Sequence, residues 1–363
     1  MANNLNYKNK KHYRLAILAE GFFSTSFAKT AIGVIRYSDD EVVCVIDSTK
    51  AGKSSDEVIG IGKGIPIVKD IYEALKYNPT ALLIGIAPLG GKLPEEWKEI
   101  IKVSLKSKLD IISGLHTFLS LDDEFSQLSN EYNCKIYDIR MPPKNLPIAG
   151  GKGFGIKPTV ILTVGSDCDV GKMTVAVEIH KSLINLGKKS RFIATGQTGI
   201  MIEKYGYPID AIVGDFMAGA IEELIINCEQ DNDFIIVEGQ GSLFHQGYSG
   251  VTLALLHGCA PDAMIFCHQP SRDKIGDPPF TEFPPLPRLI EIYEEAASWI
   301  KPAKVVGIAL NTYKLSELQA KREIDRAEIL TNLQADDVIR FNGNKLAKAL
   351  VDYANQRNTI LQK

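Results

Sequence analysis

The sequence predicts an α/β protein with two doubly wound domains: a Rossmann-like N-terminal domain over residues 1–150 and a P-loop NTPase-like parallel sheet over residues 158–363. Three observations carry this expectation. At 363 residues, and with domains averaging about 150 residues, the chain has length for two cores. Short apolar runs alternate with helical stretches throughout, the rhythm of parallel sheets joined by right-handed crossovers. Between Met141 and Pro158 that alternation stops. Four prolines (Pro142, Pro143, Pro147, Pro158) and a cluster of glycines from Gly150 to Gly155 leave no apolar period, which marks an interdomain linker over Met141–Lys157.

In the N-terminal half the strand-like runs are Leu15–Ala19, Glu41–Asp47, Ile65–Val68, Ala81–Ile86 and Leu109–Ile112, followed by a helix and a strand ending near Ile139. Helices are expected soon after Gly21, over Asp70–Tyr77 and over Pro94–Lys106. In the C-terminal half the strands are Thr159–Val164, Ser190–Ala194, Phe234–Val237, Ala263–Phe266, Lys304–Leu310 and Asp337–Arg340. Helices lie between them over Lys172–Leu186, Asp215–Asn227, Leu286–Ile300 and Lys345–Asn355. Short, continuously apolar strands of this kind suit a sheet covered on both faces.

Composition narrows the function classes. Hydrophobic residues are 45% and charged residues 23% of the chain, a globular balance that excludes disorder. The 41 basic residues against 44 acidic ones leave a net charge of -3, with no sustained run of one sign. No nucleic-acid partner is expected, because gripping a phosphate backbone needs clustered cations. No apolar run approaches the ~18 residues of a membrane span, and the polar leader Met1–Lys11 has no apolar region behind it, so neither membrane nor export is expected. Six scattered cysteines without a Cys-x-x-Cys pair disfavour a disulfide scaffold and fit reduced thiols in the cytoplasm.

The most informative segment follows the strand Thr159–Val164: Gly165-Ser166-Asp167-Cys168-Asp169-Val170-Gly171-Lys172-Met173-Thr174, leading straight into a helix. Strand, glycine-rich loop and helix in that order form a phosphate-binding loop. Its glycines let successive N–H groups turn inward, the helix N-terminus adds about half a positive charge, and Lys172 adds a full one. Two departures matter. Five residues rather than four separate Gly165 from Gly171, and Met173 stands where a hydroxyl ordinarily ligates Mg²⁺. A thioether is a poor ligand for so hard a cation. Thr174 offers a hydroxyl one residue later, about 100° further around the helix. Phosphate binding is therefore expected, and Mg²⁺-ATP hydrolysis is disfavoured.

Two further strands end in polar groups at the carboxyl edge where such sheets bind ligands. Phe234–Val237 leads into Glu238-Gly239-Gln240-Gly241-Ser242, and Val305–Leu310 leads into Asn311, an amide able to read an adenine edge. With the loop, these segments resemble in order and spacing the dethiobiotin-synthetase-like branch of P-loop proteins, whose loop also ends Val-Gly-Lys. That enzyme closes its next strand with a lysine used in chemistry. Here Arg191–Gly199 contains no lysine, so that reaction is not expected.

A closer resemblance covers nearly the whole chain. The loop itself, Ala-Thr-Gly-Gln-Thr-Gly at Ala194–Gly199, Asp-Phe-Met-Ala-Gly-Ala at Asp215–Ala220 and Val-Glu-Gly-Gln-Gly-Ser at Val237–Ser242 look like a bacterial family long catalogued as a domain of unknown function. In that family a Rossmann-like domain precedes a P-loop domain, and members are assigned as D-glutamate N-acetyltransferases. The resemblance implies acetyl-CoA as cofactor and a small acidic D-amino acid as substrate. Coenzyme A carries an adenosine 3′-phosphate and a pyrophosphate, so a phosphate loop can hold it without Mg²⁺ catalysis, and Met173 becomes intelligible. Gly64-Ile65-Pro66-Ile67 before a short helix is similar to the CoA-binding module of succinyl-CoA-synthetase-type enzymes, although most such turns are only turns. The other readings are an ATP- and Mg²⁺-dependent ligase or kinase of the dethiobiotin synthetase type, and a non-enzymatic nucleotide-binding protein. Assembly into a homo-oligomer is also expected.

Acetyl transfer to an amino acid needs a base for the ammonium, donors for the thioester oxyanion and cations for the substrate carboxylates. Glu238, His245 and His268 are the candidate catalytic groups, since all three fall at the carboxyl edge of the second sheet. Glu238 reads as a base, a metal ligand or a buried acid held by Lys172; His257 reads as packing at a helix end. Cofactor contacts are expected from Gly165, Ser166, Asp167, Cys168, Asp169, Val170, Gly171, Lys172, Met173, Thr174 and Asn311. Asp167 and Asp169 oppose an incoming phosphate, which leaves a metal, a ribose hydroxyl, an ammonium group or solvent as their partner. Substrate contacts are expected from Gln197, Thr198, Asp215 and Arg272, with Lys274 and Arg288 as further cations beside the proline-rich segment Pro278–Pro287. No metal-ligating set is assigned.

Overall fold

The computed structural model describes residues 12–25, 27–86, 93–276 and 281–361. The polar leader and Pro278–Phe280 of the proline-rich segment lie outside the described residues. The chain divides into two compact units, Met1–Lys144 with Gly196–Ala211, and Asn145–Thr195 with Ile212–Lys363.

The first unit contains β1 (Arg14–Leu18), α1 (Lys29–Tyr37), β2 (Glu41–Ile46), α2 (Ser55–Ile59), β3 (Ile67–Val68), α3 (Ile71–Leu75), β4 (Ala81–Ile84), α4 (Glu95–Lys106), β5 (Asp110–Ser113), α5 (Asp123–Tyr132) and β6 (Ile136–Asp138). Its six parallel strands run in the order β3-β2-β1-β4-β5-β6. The order reverses between β1 and β4, the point at which Rossmann-like sheets open a crevice. The apolar stripe of α4 (Trp97, Ile101, Leu105) and Phe125 of α5 are buried in the core. Asp47, just past β2, is buried and accepts N–H bonds from Gly21 at 3.3 Å and Phe23 at 3.0 Å, with Lys50 paired to it at 2.9 Å. Its carboxylate is thus committed to pinning the loop after β1.

The second unit begins with β7 (Thr159–Gly165), α6 (Lys172–Asn185) and β8 (Ser190–Ile193). The chain then leaves it to form α7 (Gln197–Glu203) within the first unit, and returns as α8 (Gly214–Ile226), β9 (Phe234–Val237), α9 (Ser249–Cys259), β10 (Ala263–His268), β11 (Lys274–Ile275), β12 (Thr281–Glu282), α10 (Leu286–Ser298), β13 (Lys304–Leu310), α11 (Glu317–Thr331), β14 (Gln334–Asp336) and α12 (Asn344–Leu361). The parallel sheet has the order β14-β13-β10-β7-β9-β8. Its central strand β7 is buried along its whole length, which brings the end of the strand, and the loop it feeds, to the middle of the sheet's carboxyl edge. No described helix is long and apolar enough to cross a membrane, and all six cysteines are free thiols.

Several expectations need adjusting. The last strand is Gln334–Asp336, not Asp337–Arg340: the Asp337 carboxylate accepts N–H bonds from Thr312, Ile339 and Arg340 at 3.0–3.1 Å, side-chain turn chemistry that ends the strand. Helix α7 and its flanks belong to the first unit, where Thr198 Oγ1 lies 3.0 Å from Thr30 Oγ1, Arg140 pairs with Asp210 at 2.8 Å and Lys204 with the buried Asp40 at 2.7 Å. Helix α11 and the β11–β12 ribbon were not anticipated from the apolar pattern, which is weak in both segments.

The linker is not a loose tether. Gly150 donates to the buried Glu222 carboxylate of α8 at 2.7 Å, and a Cβ on Gly219 would stand 1.9 Å from the Pro147 carbonyl oxygen. Gly219→Ala must displace this backbone, so we expect a loss of about 1–3 kcal/mol, measured as a lower urea midpoint at unchanged slope. An unshifted midpoint would show that the segment is not packed on α8.

Candidate functional site

Strand β7 ends at Gly165, where a side chain has no room: its Cβ would lie 2.8 Å from Val170 Cγ2 and 2.9 Å from the Cys267 carbonyl oxygen. The loop crests at Asp169, exposed with φ 59°, and enters α6 at Gly171 with φ 103°. Gly171 caps the helix without a side-chain hydrogen bond. The first-turn N–H groups of α6 have no partner within the helix by its geometry, so they are the groups an anion would meet. Lys172 is buried, and its Nζ donates to the Asp167 carbonyl at 2.7 Å. Burial lowers its pKa, because a desolvated ammonium needs a charge partner.

The wall of the loop is heavily bonded. Tyr293 donates its hydroxyl to the Gly165 carbonyl at 2.8 Å and accepts the Leu243 N–H at 3.1 Å. Ser242 Oγ donates to the Ser166 carbonyl at 3.0 Å, and the Ser166 N–H to the Cys267 carbonyl at 3.0 Å. Asp167 is buried with its side chain turned into the protein: it accepts the Cys168 N–H at 2.7 Å on Oδ1, and Arg272 Nη1 at 2.7 Å and the Gly276 N–H at 2.9 Å on Oδ2. Arg272 also donates to the Cys168 carbonyl at 2.9 Å. This arginine, read from sequence as a substrate contact, holds the shape of the loop.

Two histidines adjoin the loop. His268 Nδ1 lies 2.9 Å from Ser166 Oγ, with the Phe283 ring edge-on at 5.6 Å. Burial, helped by the Arg272 charge, pushes its pKa down to about 4, so it is neutral at pH 7. His245 is half-buried; its Nδ1 accepts the Gly247 N–H at 3.1 Å, and its ring lies against Tyr248 at 4.7 Å. A ring nitrogen of His245, the Cys168 sulfur and a carboxylate oxygen of Asp167 all lie within 4.8 Å of one another. The Cys168 thiol is pushed up to about 11 by burial.

Glu238, at the end of β9, is buried and accepts the Thr195 N–H at 2.9 Å, while its carbonyl accepts Thr195 Oγ1 at 2.7 Å. The next residue must be glycine: a Cβ on Gly239 would lie 1.7 Å from the Thr163 carbonyl oxygen and 3.2 Å from Lys172 Cδ. Asn311 donates its N–H to the His268 carbonyl at 2.8 Å, and its Nδ2 lies 3.8 Å from where a Gly171 Cβ would stand.

Arg272, Glu238, His245, His268 and Asn311 therefore gather around Gly165–Thr174 in the second unit. Asp215 is exposed on the first turn of α8, and Gln197 and Thr198 belong to the first unit, where Gln197 Oε1 accepts Arg140 Nη1 at 3.1 Å. Lys274 is exposed on β11, Arg288 makes an exposed pair with Glu291, and His257 packs at the end of α9 with Trp299 edge-on at 6.1 Å. Sequence reading missed Tyr293 and Thr163, which carry no motif of their own, and did not single out Thr195 within Ala-Thr-Gly-Gln-Thr-Gly; Ser242 was signalled by its place in Gly-Gln-Gly-Ser.

The depressed His268 pKa fixes the sign of a pH effect. Between about 6.5 and about 4 the unfolded chain takes up a proton that the folded protein refuses, so stability falls as pH falls through that window. His180, pushed down to about 4 by burial and by Arg191 and Lys181, adds in the same direction. His268→Gln should make the drop in urea midpoint between pH 7 and pH 4.5 smaller than in the wild type; an identical drop would contradict a buried neutral imidazole.

Comparison with known proteins bears on both units. Residues 48–142 match the DUF1611 N-terminal Rossmann-like domain and residues 147–347 the DUF1611 C-terminal P-loop domain, each described as a domain of unknown function. A D-glutamate N-acetyltransferase of Tritonibacter scottomollicae is 38% identical over 89% of this chain and 94% of its own. One of a Pseudoalteromonas species is 37% identical over 74% of this chain and 81% of its own. The crystal structure of a DUF1611 family protein from Anabaena variabilis is 38% identical and has a TM-score of 0.90, covering 94% of this chain and 100% of that one. With a Rossmann-like unit ahead of a P-loop unit and relatives alike over most of its length, the chain belongs to the DUF1611 family.

Proposed function

We propose that the protein is an acetyl-CoA-dependent N-acetyltransferase acting on D-glutamate. The observation that carries the reading is a phosphate loop intact in backbone and lysine but with Met173 in place of the hydroxyl that a Mg²⁺-nucleotide enzyme needs. The two relatives named D-glutamate N-acetyltransferase support it. Coenzyme A offers the loop phosphate without requiring a metal-activated leaving group.

Lys172 has a defined part in this reading. Its ammonium is desolvated and rests on a neutral carbonyl, so an arriving phosphate offers a stronger, charge-assisted partner. Asp167 stays paired with Arg272 and does not oppose the anion. A thioester lies a pantetheine arm away from the pyrophosphate, so groups adjoining the loop meet the phosphate end of the cofactor. His268 and His245 then serve cofactor binding rather than amine deprotonation. The buried carboxylate of Glu238 at the end of β9 favours a second reading, an ATP-dependent ligase or kinase.

Incubation with acetyl-CoA and D-glutamate should release free thiol and yield N-acetylglutamate by mass, without added Mg²⁺. Absence of thiol release, together with Mg²⁺-dependent ADP formation from ATP, would replace this reading with the second. Lys172→Ala should raise the Kd for CoA more than tenfold, a loss above about 1.4 kcal/mol; unchanged affinity in a titration would place the cofactor elsewhere.

A further inference from the structure

We propose that the buried Asp167 and the half-buried Cys168 and His245 form a binding site for a borderline-soft divalent cation of the Zn²⁺ class beside the phosphate loop. Their ligand atoms lie within 4.8 Å of one another. Tetrahedral coordination with bonds of about 2.0–2.3 Å sets ligand atoms about 3.5 Å apart, so a cation would draw them together by at most about 1.3 Å. Asp167 and Cys168 are neighbours on a loop whose conformation is fixed from three sides, by Arg272, Tyr293 and Ser242. His245 approaches from the segment after β9, so the site joins two carboxyl-edge loops of one sheet.

The donor chemistry selects the cation. Sulfur and imidazole are poor partners for Mg²⁺ and good ones for Zn²⁺ or Co²⁺. Asp167 is arranged as an outer-shell-supported ligand: Arg272 and the Gly276 N–H occupy Oδ2, whereas Oδ1 carries the Cys168 N–H and retains lone-pair capacity. Coordination by either nitrogen of His245 exchanges the 3.1 Å Gly247 contact, since Nδ1 must either take the cation or carry the proton. The remaining position falls to water or to a phosphate oxygen of the loop's ligand, and only that last assignment rests on the acetyl-CoA reading. A cation here would supply, from the loop itself, the charge that Met173 cannot anchor.

The test is a titration of the EDTA-dialysed full chain with Co²⁺ alone. The expected result is a near-ultraviolet sulfur-to-cobalt charge-transfer band that saturates at one equivalent and is displaced by Zn²⁺ but not by Mg²⁺. Cys168→Ser should abolish the band, His245→Gln should weaken Co²⁺ affinity at least about tenfold, and Cys134→Ser should leave both unchanged. Circular dichroism checks the fold of each variant, and if Cys168→Ser does not fold, His245→Gln decides. A wild-type protein without the band, a band that survives Cys168→Ser, or unchanged affinity in His245→Gln overturns the site. Thiol release without a cobalt band removes the cation site alone; a cobalt band without thiol release removes the acetyltransferase reading alone.

Discussion

The fixed curvature of the backbone from Gly165 to Lys172 is the constraint on which the rest of the site depends. A phosphate loop works only if its N–H groups already converge, because ordering a flexible segment on binding would consume much of the gain. Here the backbone that carries those groups is held before any ligand arrives. Tyr293 and Ser242 hold the carbonyls of Gly165 and Ser166, and Asp167 ties the loop to Arg272 and Gly276. The two close approaches at Gly165 and Gly239 exclude any side chain. Neither glycine is a turn residue by φ; each is required by how near another strand's carbonyl passes.

That frame explains why charged residues in the loop do not defeat it. A carboxylate facing an incoming phosphate would repel it, but Asp167 is turned inward to an arginine and Asp169 sits at the exposed crest. The positive charge is concentrated in Lys172, held in a desolvated position where an anionic partner gains most. His268, neutral by burial, bonds Ser166 and adds no competing charge. The loop is thus electrostatically prepared for an anion although the chain as a whole carries a net charge of only -3.

Much of this was legible in the sequence because it rests on local signals. The strand, glycine-rich loop and helix at Thr159–Leu186 announce their geometry through residue type and order, and β9, β10 and β13 through short apolar runs ending in polar groups. Long-range pairings left no such trace. Nothing around Tyr293 signals that its hydroxyl reaches Gly165, 128 residues earlier, and Arg272 looks in sequence like any loop cation. The Asp337 strand was misplaced because an Asx turn can follow a strand without changing the apolar pattern before it. Helix α7 packs with the first unit although the strand before it belongs to the second, a crossing that no composition shift marks.

If the Gly165–Thr174 loop holds the phosphates of coenzyme A, hydrogen exchange of the loop's own amides will report it. CoA, without Mg²⁺, should slow exchange across residues 165–174, with the largest protection at the first turn of α6. Protection confined to other segments, with the loop exchanging at its ligand-free rate under saturating CoA, would contradict it.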